Sequence, residues 1–159
     1  MMKKIIVLSA PGNSGKDYIA QLLFSDYKRF AFADLLKKEV STKYNLDISY
    51  FDRSLKDKPI NKFGKSPRQL LIEHAAIMRR IDEFHYIFPI FDFAKTNDKI
   101  IVTDCRLKNE IDTLRVYFNN EFTLTHIWVS SPNAIKNDHC DLSANDCDFV
   151  IVNKFVAPK

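Results

Sequence analysis

Residues 10–17, which read Ala-Pro-Gly-Asn-Ser-Gly-Lys-Asp, have the residue types and spacing best suited to chemistry in this sequence. Small residues let backbone N–H groups turn inward around a phosphate, and Lys16 has the length to reach the outer phosphate oxygens. A predicted helix follows directly, and its N-terminus favours anions. We therefore predict a nucleotide phosphate site formed by Gly12, Asn13, Ser14, Gly15, Lys16, Asp17 and Tyr18.

Two positions of this segment differ from the usual phosphate loop. Ala10 occupies the first glycine position, and Asp17 stands where a Ser or Thr would bind Mg²⁺. A carboxylate can hold magnesium directly or through water, because hard cations accept oxygen ligands, although it also repels phosphate. The alternative interpretation is a strand–helix turn that contains glycine only for its backbone dihedrals.

A second candidate group follows a predicted buried strand that ends at Asp104. Ligands collect at the carboxyl ends of strands in open α/β sheets, so Asp104 is placed to anchor magnesium through water or to orient an acceptor. Arg106, two residues later, could hold a phosphate at the same edge. The alternative for Asp104 is an N-cap of the helix predicted to begin at Leu107.

A third group consists of the arginines Arg68, Arg79 and Arg80 on a long predicted helix that begins at Pro67. Arginine presents a planar fork that binds phosphate with two hydrogen bonds, so Arg68 and Arg80 could each bind a phosphate group. These two are separated by roughly 120° around the helix axis, whereas Arg79 lies nearer the direction of Arg68 and is the alternative. All three could also be solvated charges on an amphipathic helix.

Predicted strands and predicted helices alternate along the chain, and these elements position the candidate residues. Such alternation predicts an α/β fold, a parallel sheet of about five strands flanked by helices with right-handed crossovers. We predict one domain over residues 1–159, with a mobile segment at about 45–66 and a short closing loop at about 131–146. The predicted strands are Lys4–Ser9, Arg29–Ala33, Lys99–Asp104, Phe122–Val129 and Asp148–Asn153. The predicted helices are 15–25, 34–44 with Asp34 as its cap, 67–81, a stretch to Lys95 kinked near Pro89, and 107–118.

Composition excludes several classes of protein. The chain has 159 residues, of which 46% are hydrophobic, which is enough for a packed core and excludes intrinsic disorder. No apolar run approaches the roughly 20 residues that span a bilayer. The net charge of +4 is too mild to predict stable nucleic-acid binding. Three cysteines without a disulfide spacing favour a reducing compartment, so we expect a cytoplasmic protein that does not bind membranes. The sequence does not decide between a monomer and a homodimer.

Four segments, taken in order, make the chain resemble the phage-type deoxynucleoside monophosphate kinases, a branch of the P-loop kinases. The segments are Ser14-Gly15-Lys16-Asp17, Phe32-Ala33-Asp34-Leu35-Leu36-Lys37, Ser66-Pro67-Arg68-Gln69-Leu70-Leu71 with Arg80-Ile81-Asp82, and Thr103-Asp104-Cys105-Arg106 with Asn109-Glu110. The resemblance covers nearly the whole chain. The closing region from His139 to Asn153 is similar as well, although the closing loop is poor in arginine.

The resemblance implies transfer of the γ-phosphoryl group of ATP to a deoxynucleoside monophosphate, with Mg²⁺, in the host cytoplasm if the protein is phage-encoded. It implies Lys16, Asp104 and Arg106 as catalytic residues and Asp17 and Asp104 as metal ligands, directly or through water. The implied acceptor-binding residues are Asp34, Lys37, Arg68, Arg79, Arg80 and Arg106.

Two alternatives stay open from the sequence. Animal-type phosphomevalonate kinases share the Ser-Gly-Lys-Asp loop, and dephospho-coenzyme A kinases share the general plan, so the acceptor could be another small phosphorylated molecule. A non-catalytic nucleotide-binding protein is favoured by Ala10, Asp17 and the arginine-poor closing loop.

Overall fold

A computed structural model describes residues 3–136 and 139–154. Five parallel strands form one sheet in the order β2-β3-β1-β4-β5. The strands are β1 (Lys3–Ser9), β2 (Lys28–Phe30), β3 (Lys99–Val102), β4 (Phe122–Ser130) and β5 (Phe149–Val152). The helices are α1 (Lys16–Leu23), α2 (Ala33–Tyr44), α3 (Pro67–Ile81), α4 (Pro89–Ala94) and α5 (Lys108–Tyr117), with 3₁₀ turns at Ile48–Phe51 and Ala144–Asp146.

The chain divides into two compact units. The first, here called the sheet unit, consists of Met1–Ala31 with Ile90–Lys159, and the second, the helical unit, is Phe32–Pro89. In the central strand β1, the side chains of Ile5, Val7 and Leu8 are all fully buried, as expected for a parallel strand covered on both faces. On one face, strand residues pack against Ile19 and Ala20 of α1.

Strand order places a crevice at the carboxyl ends of β1 and β3, which are hydrogen-bonded neighbours. The chain leaves β1 toward β2 in one direction along the sheet and leaves β3 toward β4 in the other. Right-handed crossovers put these two connections on opposite faces. The loops that follow β1 and β3 therefore diverge, and such a point of divergence is where open α/β sheets bind ligands.

The helical unit packs α2, α3 and the intervening segment around one apolar cluster. Val40 of α2 and Leu70 of α3 are buried at its centre. The segment 45–66 contributes the buried Phe51 and forms an isolated antiparallel bridge between Ile60 and Lys65. Mobility of this segment stays a prediction.

The predicted parallel α/β sheet of five strands flanked by helices is confirmed. Several observed element boundaries differ from the predicted ones. The second strand ends at Phe30 instead of Ala33, because the chain already turns into α2 at Ala33. Asp34 is not the cap of that helix, since Phe32 occupies the N-cap position. Pro89 begins α4 and does not kink a longer helix, in keeping with the tolerance of proline in a first turn.

Within the described part of the chain, none of the helices is both long and apolar enough to cross a membrane.

Candidate phosphate-binding site

The loop between β1 and α1 has a backbone shaped by two left-handed residues. Asn13 has φ 57° and Gly15 has φ 75°, in the region that glycine adopts without steric cost and asparagine tolerates. Residues that alternate between left- and right-handed conformations turn successive N–H groups toward one side, which forms a concave anion site. We call residues 10–16 the phosphate loop.

Three carbonyl groups of the phosphate loop accept hydrogen bonds from other residues, whereas four consecutive N–H groups have no acceptor among the described residues. Gly12 O accepts from Ile135 N–H at 2.8 Å, Ser14 O accepts from Asn153 Nδ2 at 3.1 Å, and Gly15 O accepts from Ile19 N–H at 3.0 Å. Within residues 3–136 and 139–154, no acceptor pairs with the N–H groups of residues 14, 15, 16 and 17. These four donors at the start of α1 are available to an anion.

Lys16 and Asp17 supply the charged side chains of this site. Lys16 is 24% exposed and Asp17 is 78% exposed, with 4.0 Å between Lys16 Nζ and Asp17 Oδ1. Lys16 is thus partly buried, and its weak ion pair with Asp17 is one that a phosphate can replace. Tyr18, the last predicted phosphate-binding residue, lies in the first turn of α1, and its side chain is exposed.

Asp104 and Arg106 lie beside this loop because their segment is tied to the end of β1. Cys105 N–H donates to Leu8 O at 3.2 Å, and the Ser9 hydroxyl donates to Cys105 O at 2.7 Å. Asp104 is partly buried and Arg106 is exposed. The structure thus brings the phosphate loop, Asp104 and Arg106 to one edge of the sheet, as the sequence predicts.

The alternative interpretation of Asp104 as a helix cap is wrong. Helix α5 begins at Lys108, and the buried carboxylate of Glu110 accepts from Leu107 N–H at 2.8 Å and from Arg106 N–H at 3.2 Å. Asp141 of the closing loop accepts from Lys108 N–H at 2.7 Å and donates its own N–H to Arg106 O at 3.0 Å. Glu110 and Asp141 therefore satisfy this helix end and fix the backbone of Arg106.

The other predicted acceptor-binding residues belong to the helical unit, where they have different surroundings. Arg68 binds Asp57 with Nε at 2.5 Å from Oδ1 and a second nitrogen at 3.3 Å from Oδ2. The Arg79 guanidinium lies 5.4 Å from the ring centre of Tyr86, a cation–π contact. The side chains of three further predicted residues are exposed or partly buried, namely Asp34, Lys37 and Arg80.

Glu39 of α2 joins the elements of the helical unit through one half-buried carboxylate. Its oxygens lie 3.1 Å from His74 Nε2, 2.5 Å from His85 Nε2 and 2.7 Å from the Tyr86 hydroxyl. Burial alone would raise the pKa of Glu39, but the hydrogen bonds from its three partners outweigh burial and lower it. A groove of about 430 Å³ beside this carboxylate is lined by Leu35, Lys38, Glu39, Thr42, Lys43, His74 and Met78.

Magnesium fits the donor chemistry of the sheet edge. Asp17 and Asp104 both follow carboxyl ends of neighbouring strands, and carboxylates are the ligands that Mg²⁺ takes alongside phosphate oxygens and water. In the part of the chain that the structure describes, no three His, Cys, Asp or Glu side chains form a metal-binding group. A magnesium ion here would therefore need several of its ligands from bound phosphate oxygens or water.

The residues that hold the phosphate loop through hydrogen bonds to its backbone and to Asn13 were not predicted from the sequence. Asn153 follows β5 and bonds to Ser14, Ile135 forms an antiparallel bridge with Gly12, and Asn13 Nδ2 donates to Asn133 O at 3.1 Å. One usable signal was available for Asn153. A polar residue directly after an apolar strand of a parallel sheet lies at the same edge as the phosphate loop.

No protein-family model and no curated protein matches this sequence. Among solved structures, the chain is similar to the APS kinase CysC of Mycobacterium tuberculosis, with 12% identity and a TM-score of 0.45 over 95% of this chain and 86% of that chain. It is similar to TT1252 from Thermus thermophilus, with 13% identity and a TM-score of 0.45, and the match covers 98% of this chain and 91% of that chain. A third structure, an unliganded sugar kinase from a Janibacter species, has 13% identity and a TM-score of 0.37 over 95% and 84%. Similarity at this level assigns no activity.

Proposed function

We propose that this protein is an ATP-dependent phosphotransferase of the P-loop kinase type whose acceptor is a deoxynucleoside monophosphate. The observation that carries the proposal is the run of four N–H groups at residues 14–17 that have no acceptor among the described residues. They lie at the N-terminus of α1 and next to the amine of Lys16. This arrangement supports binding of a polyphosphate chain.

Phosphoryl transfer requires positioning and charge neutralisation more than covalent chemistry from the protein. The N–H groups of the phosphate loop would bind the β-phosphate, and Lys16 would reach the β and γ oxygens. Arg106, whose backbone is fixed by Glu110 and Asp141, would bind a phosphate from the adjacent strand end. Magnesium, when bound, would supply additional positive charge between the phosphates, with Asp17 and Asp104 as its protein ligands.

The choice of acceptor is supported by the resemblance of the sequence to deoxynucleoside monophosphate kinases. The helix start Ser66–Leu71 carries Arg68, and Arg79 and Arg80 end the same helix. Arg68, together with Arg80 or with Arg79 as the alternative, would supply positive charge to the phosphate of a nucleoside monophosphate. Asp34 and Lys37 near the start of α2 complete the proposed acceptor-binding residues.

A direct assay tests the activity. The pure protein is mixed with ATP, magnesium and each of the four deoxynucleoside monophosphates, and diphosphate products are measured by chromatography. We expect at least one diphosphate, and Lys16→Ala should lower turnover about 100-fold or more, the usual effect of removing a group that stabilises transition-state charge. The control is Lys99→Ala, at the opposite end of β3, which should retain turnover. Absence of product from all four acceptors would contradict the proposal.

The exposed Asp17 favours a second candidate, a nucleotide-binding protein without turnover. A carboxylate at this position repels the phosphate that the loop attracts, and it replaces the Ser or Thr hydroxyl that usually binds Mg²⁺. Under this alternative, ATP raises the Tm of the protein and no acceptor is phosphorylated. Turnover with phosphomevalonate or dephospho-coenzyme A in the same assay would instead identify another acceptor.

A further inference from the structure

The side-chain amide of Asn153 contacts the phosphate loop from the side of β5. Asn153 is only 6% exposed, and its Nδ2 donates to Ser14 O at 3.1 Å. Its own backbone N–H donates to Ser130 O at 2.7 Å, which ties it to the end of β4. The amide donor is therefore held by the sheet and is placed against the loop with little freedom to move.

This hydrogen bond determines which way one peptide group of the loop faces. The carbonyl of Ser14 and the N–H of Gly15 belong to the same peptide group, and in a trans peptide they point in opposite directions. Since Asn153 binds the carbonyl, the N–H of Gly15 is turned to the other side. That N–H is one of the four donors without an acceptor among the described residues.

The same amide also fills the space beside Gly15. A Cβ atom built on Gly15 would lie 2.3 Å from Asn153 Nδ2, well inside any normal contact distance. The φ of +75° at Gly15 independently favours glycine. The two residues are thus matched, because the missing side chain of Gly15 lets the amide approach the loop closely enough to bind Ser14.

We propose that Asn153 is a positioning residue for phosphate binding, one that presets the N–H of Gly15 toward the phosphates of ATP before the nucleotide arrives. The inference rests on the proposed function in one respect, namely that the loop binds a polyphosphate. Asn153 acts through the peptide group of residues 14 and 15 and does not itself touch the nucleotide. Without its amide, that peptide group is free to rotate, and ATP binding must first restore its orientation.

The test measures affinity without catalysis. Binding of ATP and of inorganic tripolyphosphate is measured by calorimetry for the wild type, Asn153→Ala and Asn153→Leu, and the Tm of each protein is recorded without ligand. Leucine retains a similar side-chain volume but has no donor. We expect both variants to raise the Kd for both probes by about fivefold or more, the effect of losing one neutral hydrogen bond.

The matched control is Asn97→Ala in the same sheet unit. Asn97 Nδ2 also donates to a backbone carbonyl, that of Phe93, at 2.9 Å, but it lies outside the phosphate loop. We expect this variant to lower the Tm while leaving the Kd for both probes unchanged, since a purely structural role affects stability alone.

The outcomes separate the two proposals. If the wild type binds neither ATP nor tripolyphosphate, the proposed function fails and the positioning role fails with it. If the wild type binds both probes and a folded Asn153 variant binds them equally tightly, only the positioning role is overturned. If Asn153→Ala does not fold, Asn153→Leu decides in the same way. An equal loss of affinity in Asn97→Ala would also overturn the role, because the effect would then be one of general stability.

Discussion

The Ser9 hydroxyl lies 2.7 Å from Nε2 of His126, and both side chains are buried where β1 and β4 run side by side. Because the hydroxyl donates its only proton to Cys105 O at 2.7 Å, it accepts from His126 Nε2–H. Nδ1 of the ring then has no donor to accept from among the described residues. Beneath the phosphate loop, one neutral histidine thus joins β1, β4 and the segment that carries Asp104.

Because of His126, we expect the folded protein to lose stability in mild acid. Burial, assisted by the charge of Arg115, lowers the pKa of His126 below its ordinary value of 6.5, so the unfolded chain takes up a proton first as the pH falls. The contribution of His126 to stability is complete above about pH 6.5 and is lost as the pH falls from there through the folded pKa. We expect wild-type urea midpoints to drop between pH 7.5 and 5.5.

The variant His126→Gln should have a smaller drop over the same pH range, although it is less stable at pH 7.5. The control is His139→Gln, at an exposed position of the closing loop, which should behave as the wild type. Equal drops in the wild type and in His126→Gln would show that this ring does not cause the pH dependence.

Glu39 is expected to stabilise the helical unit as a carboxylate. Replacing it by Gln removes charge-assisted hydrogen bonds and should cost about 1.5–3 kcal/mol in the free energy of unfolding at pH 7. The lowered pKa means that this contribution is present above the ordinary value of 4.5 and is lost as the pH falls through the folded pKa. The difference between wild type and Glu39→Gln should therefore shrink in acid.

Urea unfolding of Glu73→Gln provides the comparison for Glu39. Glu73 pairs with Lys65 at 2.7 Å on the surface of the same unit, with both side chains nearly half exposed. Exposed pairs contribute about 0–1 kcal/mol, so this variant should lose little stability. A loss in Glu73→Gln as large as in Glu39→Gln would contradict the special role of the half-buried carboxylate of Glu39.

Arg68 must exchange one partner for another if it binds the acceptor phosphate. Its present partner is Asp57, and the pair is largely exposed and therefore weak. We expect Asp57→Asn to lower the KM for the acceptor up to about fivefold, because the arginine no longer has a competing carboxylate, whereas Arg68→Ala should raise it. Steady-state kinetics with varied acceptor would measure both effects. An unchanged KM in both variants would remove Arg68 from the acceptor site.

Asp17 is expected to set the magnesium requirement. If its carboxylate binds the ion, directly or through water, Asp17→Asn should raise the magnesium concentration for half-maximal turnover by about tenfold, since the ion loses an anionic ligand. The measurement is turnover against free magnesium at saturating ATP. As a control, Asp26→Asn removes a surface carboxylate that pairs with Lys99 and should leave the requirement unchanged. An unchanged or lower requirement in Asp17→Asn would show that the carboxylate only repels phosphate.

The prediction of the fold succeeded where the signal was local. The apolar run of β1, the small residues of the phosphate loop and the proline at the start of α3 each lie within a few consecutive residues. Such segments determine their backbone conformation through burial pattern and allowed dihedrals, which a single sequence displays. The expected role of Asp34 as a cap was wrong, and so was the alternative interpretation of Asp104 as a cap, because an Asp near a helix start suits several positions and only the path of the chain selects one.

Local sequence patterns were therefore enough to predict the alternation of strands and helices, the position of the phosphate loop and the candidate residues at two strand ends. The contacts that hold that loop depend on how the whole chain folds. Asn153 and Ser14 are separated by 139 positions, and Glu39 meets His74 and His85 across 35 and 46 positions. Contacts of this kind depend on strand order, register and helix packing, which arise from the collapse of the whole chain and are absent from any local window of sequence.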